Sequence, residues 1–384
     1  MRSWPSRGAS LSPASTSSAA PAPPSPAGGA ELGGRSLPRL LPLAAWASFV
    51  LNVVIIATGG AVRLTGSGLG CSEWPLCTPE SLTPTPEMGI HGIIEFGNRT
   101  ITGVLLAVAL AVLLILLHGA GGRRSLGSAL RFAAGGIVAG VVAGVIAYAV
   151  GLPTFVCFSA VLLLVVVLAA ARSLNITSHR RDLVTLAWLV LVGVVAQAFV
   201  GGITVLTELN AFIVGFHYVA SLVLVCVTAA FLVRMYEPEG PRGLAVPRGF
   251  AILTHVTTLG IAIIVLMGVL TTASGPHSGD EDVVRDGFDA TLLSHLHAWP
   301  GYATLVLVIA LLGWAAARRL RPLRWTIALL ALLLVQIGVG IYQARSGLPP
   351  LAVGVHMVLA SLTAASMTVT VLRLKRPVAG SGAE

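Results

Sequence analysis

Ten apolar runs of about twenty residues, separated by short polar joints, limit what this chain can become. They lie near residues 41–62, 89–117, 129–150, 153–171, 183–205, 211–234, 249–273, 291–316, 325–345 and 351–373. Coiled at ~1.5 Å per residue, such a run matches the ~30 Å hydrocarbon core of a bilayer, and a helix satisfies its own backbone there. With 55% hydrophobic and only 10% charged residues, and a mean hydropathy of +0.90, no soluble core accounts for the composition. The expectation is an all-α polytopic membrane protein of about ten spans, embedded in the lipid bilayer.

The formal charge of +9 does not imply a nucleic-acid partner, because the basic residues sit in the joints between apolar runs. Arg35 with Arg39, Arg123 with Arg124, Arg172 with Arg180 and Arg181, Arg234 with Arg242 and Arg248, Arg318 through Arg324, and Lys375 with Arg376 all fall on one side of the layout. The positive-inside rule makes that side cytoplasmic, so the chain is expected to be a multi-pass protein of the cell membrane with both termini in the cytoplasm. Residues 1–37, rich in Ala, Pro, Ser and Gly without an apolar stretch, read as a disordered cytoplasmic tail, and residues 375–384 as a short second tail. Residues 129–171, joined only through Gly151-Leu152-Pro153, read either as a tight hairpin of two spans or as a re-entrant segment.

An internal repeat divides the chain. Gln197, Val200, Gly201, Leu209, Val214, Gly215 and His217 recur at an offset of 139 as Gln336, Val339, Gly340, Leu348, Val353, Gly354 and His356. A weaker echo pairs Thr65, Ser67 and Gly68 with Thr272, Ser274 and Gly275. Both copies start from the same side, so the halves are expected to be parallel, related by an axis along the membrane normal. They would be two helical bundles over 38–238 and 249–374, with the 119–171 region an insertion in the first.

The chemistry-bearing residues gather near the outer ends of the spans. In His91-Gly-Ile-Ile-Glu95-Phe-Gly-Asn98-Arg99-Thr-Ile-Thr102, residues 91, 95, 98 and 102 share a helix face at ~100° per residue. A carboxylate at membrane depth costs several kcal/mol unless paired or facing a cavity, so Glu95 beside Arg99 marks either a functional site or a structural pair fastening two helices. Cys71 and Cys77, on the outward and oxidising side, are placed to close a small disulfide loop; metal binding by them lacks further ligands nearby. His217 and His356 enter their spans to matched depth, near the level of Glu95, Asn98 and His297. A histidine on the last helix of each half, facing a polar residue on an earlier one, is a geometry for holding haem with imidazole as axial ligand. His295 and His297 point to nearly opposite faces, so one of them meets a given haem. His255 reads as a packing residue, and His118, His179 and His277 as loop residues.

These residues together resemble the haem A synthase family, membrane enzymes that convert haem O to haem A for cytochrome oxidase. The resemblance covers roughly residues 41–373 apart from 119–171. It rests on Gly59 through Gly68 with Arg63, on Cys71 and Cys77, on Ile93 through Arg99, on Gln197 through Leu206 leading to His217, on Gly275 through Asp280, and on His356. It implies two similar four-helix halves, with haem b held by His297 and His356 in the second and the substrate haem O beside Glu95 and His217 in the first. It further implies oxidation of a ring methyl to a formyl group, an outside electron donor, a farnesyltransferase that supplies haem O, and assembly factors of cytochrome oxidase as partners. Glu95 would be the catalytic carboxylate, Cys71 and Cys77 the family's outer disulfide, and Arg63 and Arg99 partners of the haem propionates or plain interfacial anchors.

The chain departs from the family pattern in two places. Asn98 stands where a histidine precedes the arginine, which leaves the substrate iron with His217 and an open position; Asn98 is expected to hydrogen-bond a sixth ligand or the haem edge, and His91, two turns away, is too distant to replace the imidazole. Ten spans exceed the usual eight, and the second half has no cysteine pair. Two other classes use some of the same features. A non-catalytic bis-haem electron-transfer cytochrome needs the histidines but not Glu95, and a secondary transporter fits the parallel repeat and binds no haem.

Overall fold

A computed structural model describes residues 31–32, 35–36, 38–280, 282–283 and 289–378. The disorder expected for 1–37 and the end of the 375–384 tail fall almost entirely outside them. Two short strands, β1 (Glu31–Leu32) and β2 (Arg35–Ser36), precede nine helices. These are α1 (Leu40–Leu64), α2 (Gly89–Ala149), α3 (Thr154–Ile176), α4 (Arg181–Leu206), α5 (Ala211–Met235), α6 (Arg248–Ala273), α7 (Ala290–Ala317), α8 (Leu323–Arg345) and α9 (Pro350–Leu372). All nine are long and apolar enough to cross a membrane. Their limits follow the ten expected runs closely, except that the joint between the second and third runs is helical.

That joint is the main difference from expectation. The 61 residues of α2 would span ~90 Å as one rod, about three bilayer cores, but Gly122 interrupts it at φ 63°, ψ −162°. Only glycine takes such a backbone without strain. The arm after Gly122 lies antiparallel to α3: an added Cβ on Gly136 would come within 2.6 Å of Val165, and one on Gly140 within 3.1 Å of Phe158. Near the break, Ser125 and Thr177 share a 3.1 Å hydroxyl contact, and Trp188 on α4 donates to Ser173 on α3. Since α3 runs back along α4, the chain reverses at Gly122, and α2 is two antiparallel arms. Ten membrane-length segments result, and 129–171 is the hairpin alternative. Its outward residues Ile137, Val138, Val141, Val142, Val145 and Ile146 are 51–63% exposed, a surface for lipid.

Local sequence sets the helix limits. Asn210 accepts from the amides of Phe212 and Ile213 to open α5, and Asp289 does the same for Thr291 and Leu292 to open α7, as N-caps do. The repeat is visible in the backbone. After α4, Leu209 (φ 57°) returns its N–H to Thr204 O at 2.8 Å, and after α8, Leu348 (φ 57°) returns its own to Gln343 O at 2.9 Å. Both helices thus close with the same left-handed turn.

The largest core joins α1, both arms of α2, α3, α4 and α5. A second packs Ile261, Val308, Leu329, Leu333 and Met367 of the C-terminal half. Between them Ile56, Leu222, Val225, Ala229, Ala365 and Val369 bring α1, α5 and α9 together on the seam between halves. At the face opposite the Cys71 loop, β3 (Arg242–Leu244) in the linker pairs antiparallel with β4 (Lys375–Pro377). There the buried Glu237 carboxylate receives Arg242, Arg234 and Arg373, and Glu239 accepts the Arg180 and Arg181 amides at the start of α4.

Candidate functional site

In the C-terminal half, α7 and α9 bring two of the expected histidines together. The His297 and His356 ring centroids are 6.1 Å apart with planes at 71°. His297 donates Nδ1–H to the Ile264 carbonyl on α6 at 2.9 Å, which fixes the tautomer and leaves Nε2 with its lone pair, the form a metal requires. Glycines make room for both rings: a Cβ on Gly268 would stand 2.9 Å from His297 Cε1, and one on Gly340 3.1 Å from His356 Cε1. His356 Nδ1 is buried without a hydrogen-bond partner. Two imidazoles on one metal, at ~2.0 Å per nitrogen, put their centroids roughly 6 Å apart. The spacing and the donor set therefore fit two imidazoles that would hold one haem iron between them. His295, two residues away, is exposed and turned to its own helix at Thr291 O, 2.8 Å, so His297 is the one that meets His356.

In the N-terminal half, among the described residues, no second histidine ring is paired with His217 on α5. Its Nδ1–H is taken by Gln197 Oε1 at 3.0 Å, while Gln197 Nε2 donates to the His217 carbonyl at 2.7 Å and to Ser221 Oγ at 2.9 Å. Its ring lies against Gly201 as that of His356 lies against Gly340. Asn98 on α2 accepts from the Thr58 hydroxyl of α1 at 2.8 Å, and its backbone carbonyl takes Thr102. The two sites are thus alike in the glutamine, the glycine and the last-helix histidine. They differ in that the second has a histidine pair.

Glu95 and Arg99 organise the loop above the first site. Glu95 is 4% exposed; its Oε2 accepts the Cys71 amide at 2.6 Å and its Oε1 accepts Arg99 at 2.5 and 3.2 Å. The remaining N–H groups of Arg99 reach the carbonyls of Cys71 (3.2 Å), Glu73 (2.9 Å) and Leu76 (2.8 Å), so all five guanidinium donors are engaged. Cys71 and Cys77 lie together in the same loop, with Cα atoms 4.4 Å apart and sulfurs at 2.02 Å. Its Trp74 lies on α4: a Cβ on Gly202 would be 2.6 Å from that ring, and Phe199 meets it edge-on at 6.1 Å. The loop therefore roofs the bundle from Glu95 on α2 to Gly202, next to the glycine that faces His217. His91 is exposed and contacts Ser67 Oγ at 3.0 Å.

Arg63 at the end of α1 crosses to the other half, donating to the carbonyls of Thr272 (2.5 Å) and His277 (2.8 Å). His277 Nε2 reaches Leu348 O at 2.9 Å, and the Gly68 amide donates to Gly279 O at 2.7 Å. Deeper on the seam the Tyr218 hydroxyl donates to Met357 O at 3.1 Å, joining the residues that follow the two last-helix histidines. His118, His179 and His255 are exposed and stand outside these constellations. Sequence reasoning missed the Trp74–Gly202 contact and the hold of Arg99 on the loop carbonyls. The doubled glycine at 201 and 202 was the available signal for the first.

Fold and site define a polytopic helical membrane protein with two related histidine sites, one a facing pair, under a loop that brings two cysteines together. Comparisons with known proteins point the same way over short stretches. Over 69 residues, 17% of this chain and 21% of the relative, it is 48% identical to a heme A synthase of Bacillus pumilus. Over 77 residues, 19% of the chain and 25% of the relative, it is 36% identical to a heme A synthase of Exiguobacterium sibiricum. A 71-residue stretch, 18% of the chain and 11% of the relative, is 37% identical to a protoheme IX farnesyltransferase of Thermus thermophilus. The chain thus matches a quarter or less of the length of each of these relatives. No family model matches it.

Proposed function

We propose that this protein is a haem A synthase: in the membrane it oxidises a ring methyl of haem O to a formyl group, for use by cytochrome oxidase. The observation that carries the reading is the unlike pair of sites. The second half offers two imidazoles at 6.1 Å, the first a single oriented imidazole at the equivalent place. A symmetrical electron-transfer cytochrome has no use for that difference, and a transporter has none for either histidine set. In this reading His297 and His356 would hold haem b, which would relay single electrons from an outside donor, with dioxygen as the oxidant that is reduced to water as each hydroxyl is inserted. His217 would bind the iron of the substrate haem, and Asn98, which accepts from Thr58, would hydrogen-bond a further ligand or the haem edge.

Glu95 is the proposed catalytic carboxylate. Held by Arg99 and the Cys71 amide, it is a fixed acceptor beside the substrate site. Such a group stabilises positive charge developing on an oxidised carbon or takes up its proton. Cys71 and Cys77 form a disulfide that keeps the roof closed, and the roof excludes water from the reacting edge. Arg63 and Arg99 are the proposed partners of the haem propionates, for which each would exchange a backbone carbonyl. Both termini lie in the cytoplasm of a cell whose farnesyltransferase makes haem O. The resemblance to a protoheme IX farnesyltransferase supports a place beside that step.

The test is haem extraction with mass identification from protein purified out of cells that make haem O. Haem B together with haem O or A, and loss of haem A alone in Glu95→Gln, is the expected result. Haem B in both halves would reverse the assignment in favour of the cytochrome, and a colourless protein in favour of the transporter.

A further inference from the structure

Gln197 and Gln336 hold the same place in the two copies of the repeat, yet only the first grips its histidine at both ends. Gln197 donates to the His217 carbonyl and accepts the His217 Nδ1–H. Gln336 donates to the His356 carbonyl at 3.1 Å, but its Oε1 and the His356 Nδ1 are both buried with no hydrogen-bond partner. A buried donor and a buried acceptor, both unsatisfied on two residues already joined by one hydrogen bond, is a rare arrangement in a folded interior. The ring edges explain it. A Cβ on Gly201 would meet Cε1 and Nε2 of His217 at 3.5 and 3.7 Å; one on Gly340 would meet Cε1 and Nδ1 of His356 at 3.1 and 3.7 Å. His356 thus turns towards its glycine the nitrogen that His217 turns towards Gln197. Rotation about Cβ–Cγ exchanges the two edges.

We propose that Gln336 is the positioning residue of His356: on occupation of the C-terminal site the His356 ring turns, gives Nδ1–H to Gln336 Oε1, and presents Nε2 as ligand. Gln197 already holds His217 in that way. The inference rests on reading the C-terminal half as the haem b site. A bond from Nδ1–H to an acceptor fixes the ring and raises the basicity of the opposite nitrogen. A more basic axial ligand favours ferric over ferrous iron, so the acceptor at position 336 sets the potential of this site. A carboxylate there strengthens the effect and a hydrocarbon removes it.

The experiment uses the full-length haem-loaded protein as wild type, Gln336→Leu, Gln336→Glu and Gln197→Leu. It reads the haem b midpoint potential, the low-spin ferric resonance signal and retention of haem B. Expected are a raised midpoint and about 10–100-fold weaker haem B retention in Gln336→Leu, a lowered midpoint in Gln336→Glu, and an unmoved haem b midpoint in Gln197→Leu. Should Gln336→Leu not accumulate, the near-isosteric Gln336→Glu carries the test. A midpoint and ferric signal identical in wild type and Gln336→Glu overturn the proposal while leaving the haem reading intact. A wild type without haem B overturns both.

Discussion

Arg99→Met is the sharpest probe of the roof over the first site, because it keeps the unbranched stem and removes every donor. Glu95, whose side chain is 5% exposed, would retain only the Cys71 amide at 2.6 Å, and the carbonyls of Cys71, Glu73 and Leu76 would lose their shared partner. Removing one member of a buried ion pair costs about 3–5 kcal/mol, since the survivor stays charged and unpaired. The loop carbonyls can be rehydrated from outside and add little. The expected cost is therefore about 3–5 kcal/mol, measured by denaturant titration in micelles, with faster protease cleavage within residues 72–76. Glu95→Gln combined with Arg99→Met removes the stranded charge and should return part of that loss. A cycle of single and double variants should show a coupling of about 1–3 kcal/mol. A cost below ~1 kcal/mol, the range of an exposed pair, with loop cleavage unchanged, would refute the buried clamp.

Three further expectations follow from packing and charge. Gly202→Leu places a side chain where the Trp74 ring lies, 2.6 Å from the added Cβ; the roof should lift, Trp74 fluorescence should shift towards that of a wet indole, and the global fold should lose about 1–3 kcal/mol. Gly136→Leu collides with Val165 at the same 2.6 Å and should split the α2–α3 hairpin, read as new proteolysis near Gly151 while histidine-dependent colour is retained. Glu237→Leu strands three arginines around a carboxylate whose side chain is 7% exposed, and should cost about 3–5 kcal/mol. Unchanged unfolding midpoints in this variant would mean that the arginines find other partners.

The fold was largely legible because its determinants are local. Span limits come from runs of apolar residues, and the repeat carries backbone geometry with it. Leu209 and Leu348 take the same left-handed turn, and Gln197 and Gln336 donate to the carbonyls of His217 and His356 in both copies. The break in α2 was less legible. Residues 118–128 contain no proline, and the helix runs on until Gly122 allows a reversal that needs a positive φ. The choice of His297 over His295 required the structure, since helical spacing alone separates their faces without saying which one α9 meets. The partners of Arg99, Trp74 and Glu237 were not legible at all. They depend on where a loop or a linker closes in space, and no periodicity records that.

The measurement that bears most directly on two unlike sites is haem identity after removal of one ligand. His297→Ala and His217→Ala, purified separately from cells making haem O, would be compared by extracted haem and by reduced-minus-oxidised spectra. Loss of haem B alone in His297→Ala, and of haem O and haem A alone in His217→Ala, is predicted. Equal loss of one and the same haem from both variants would contradict it.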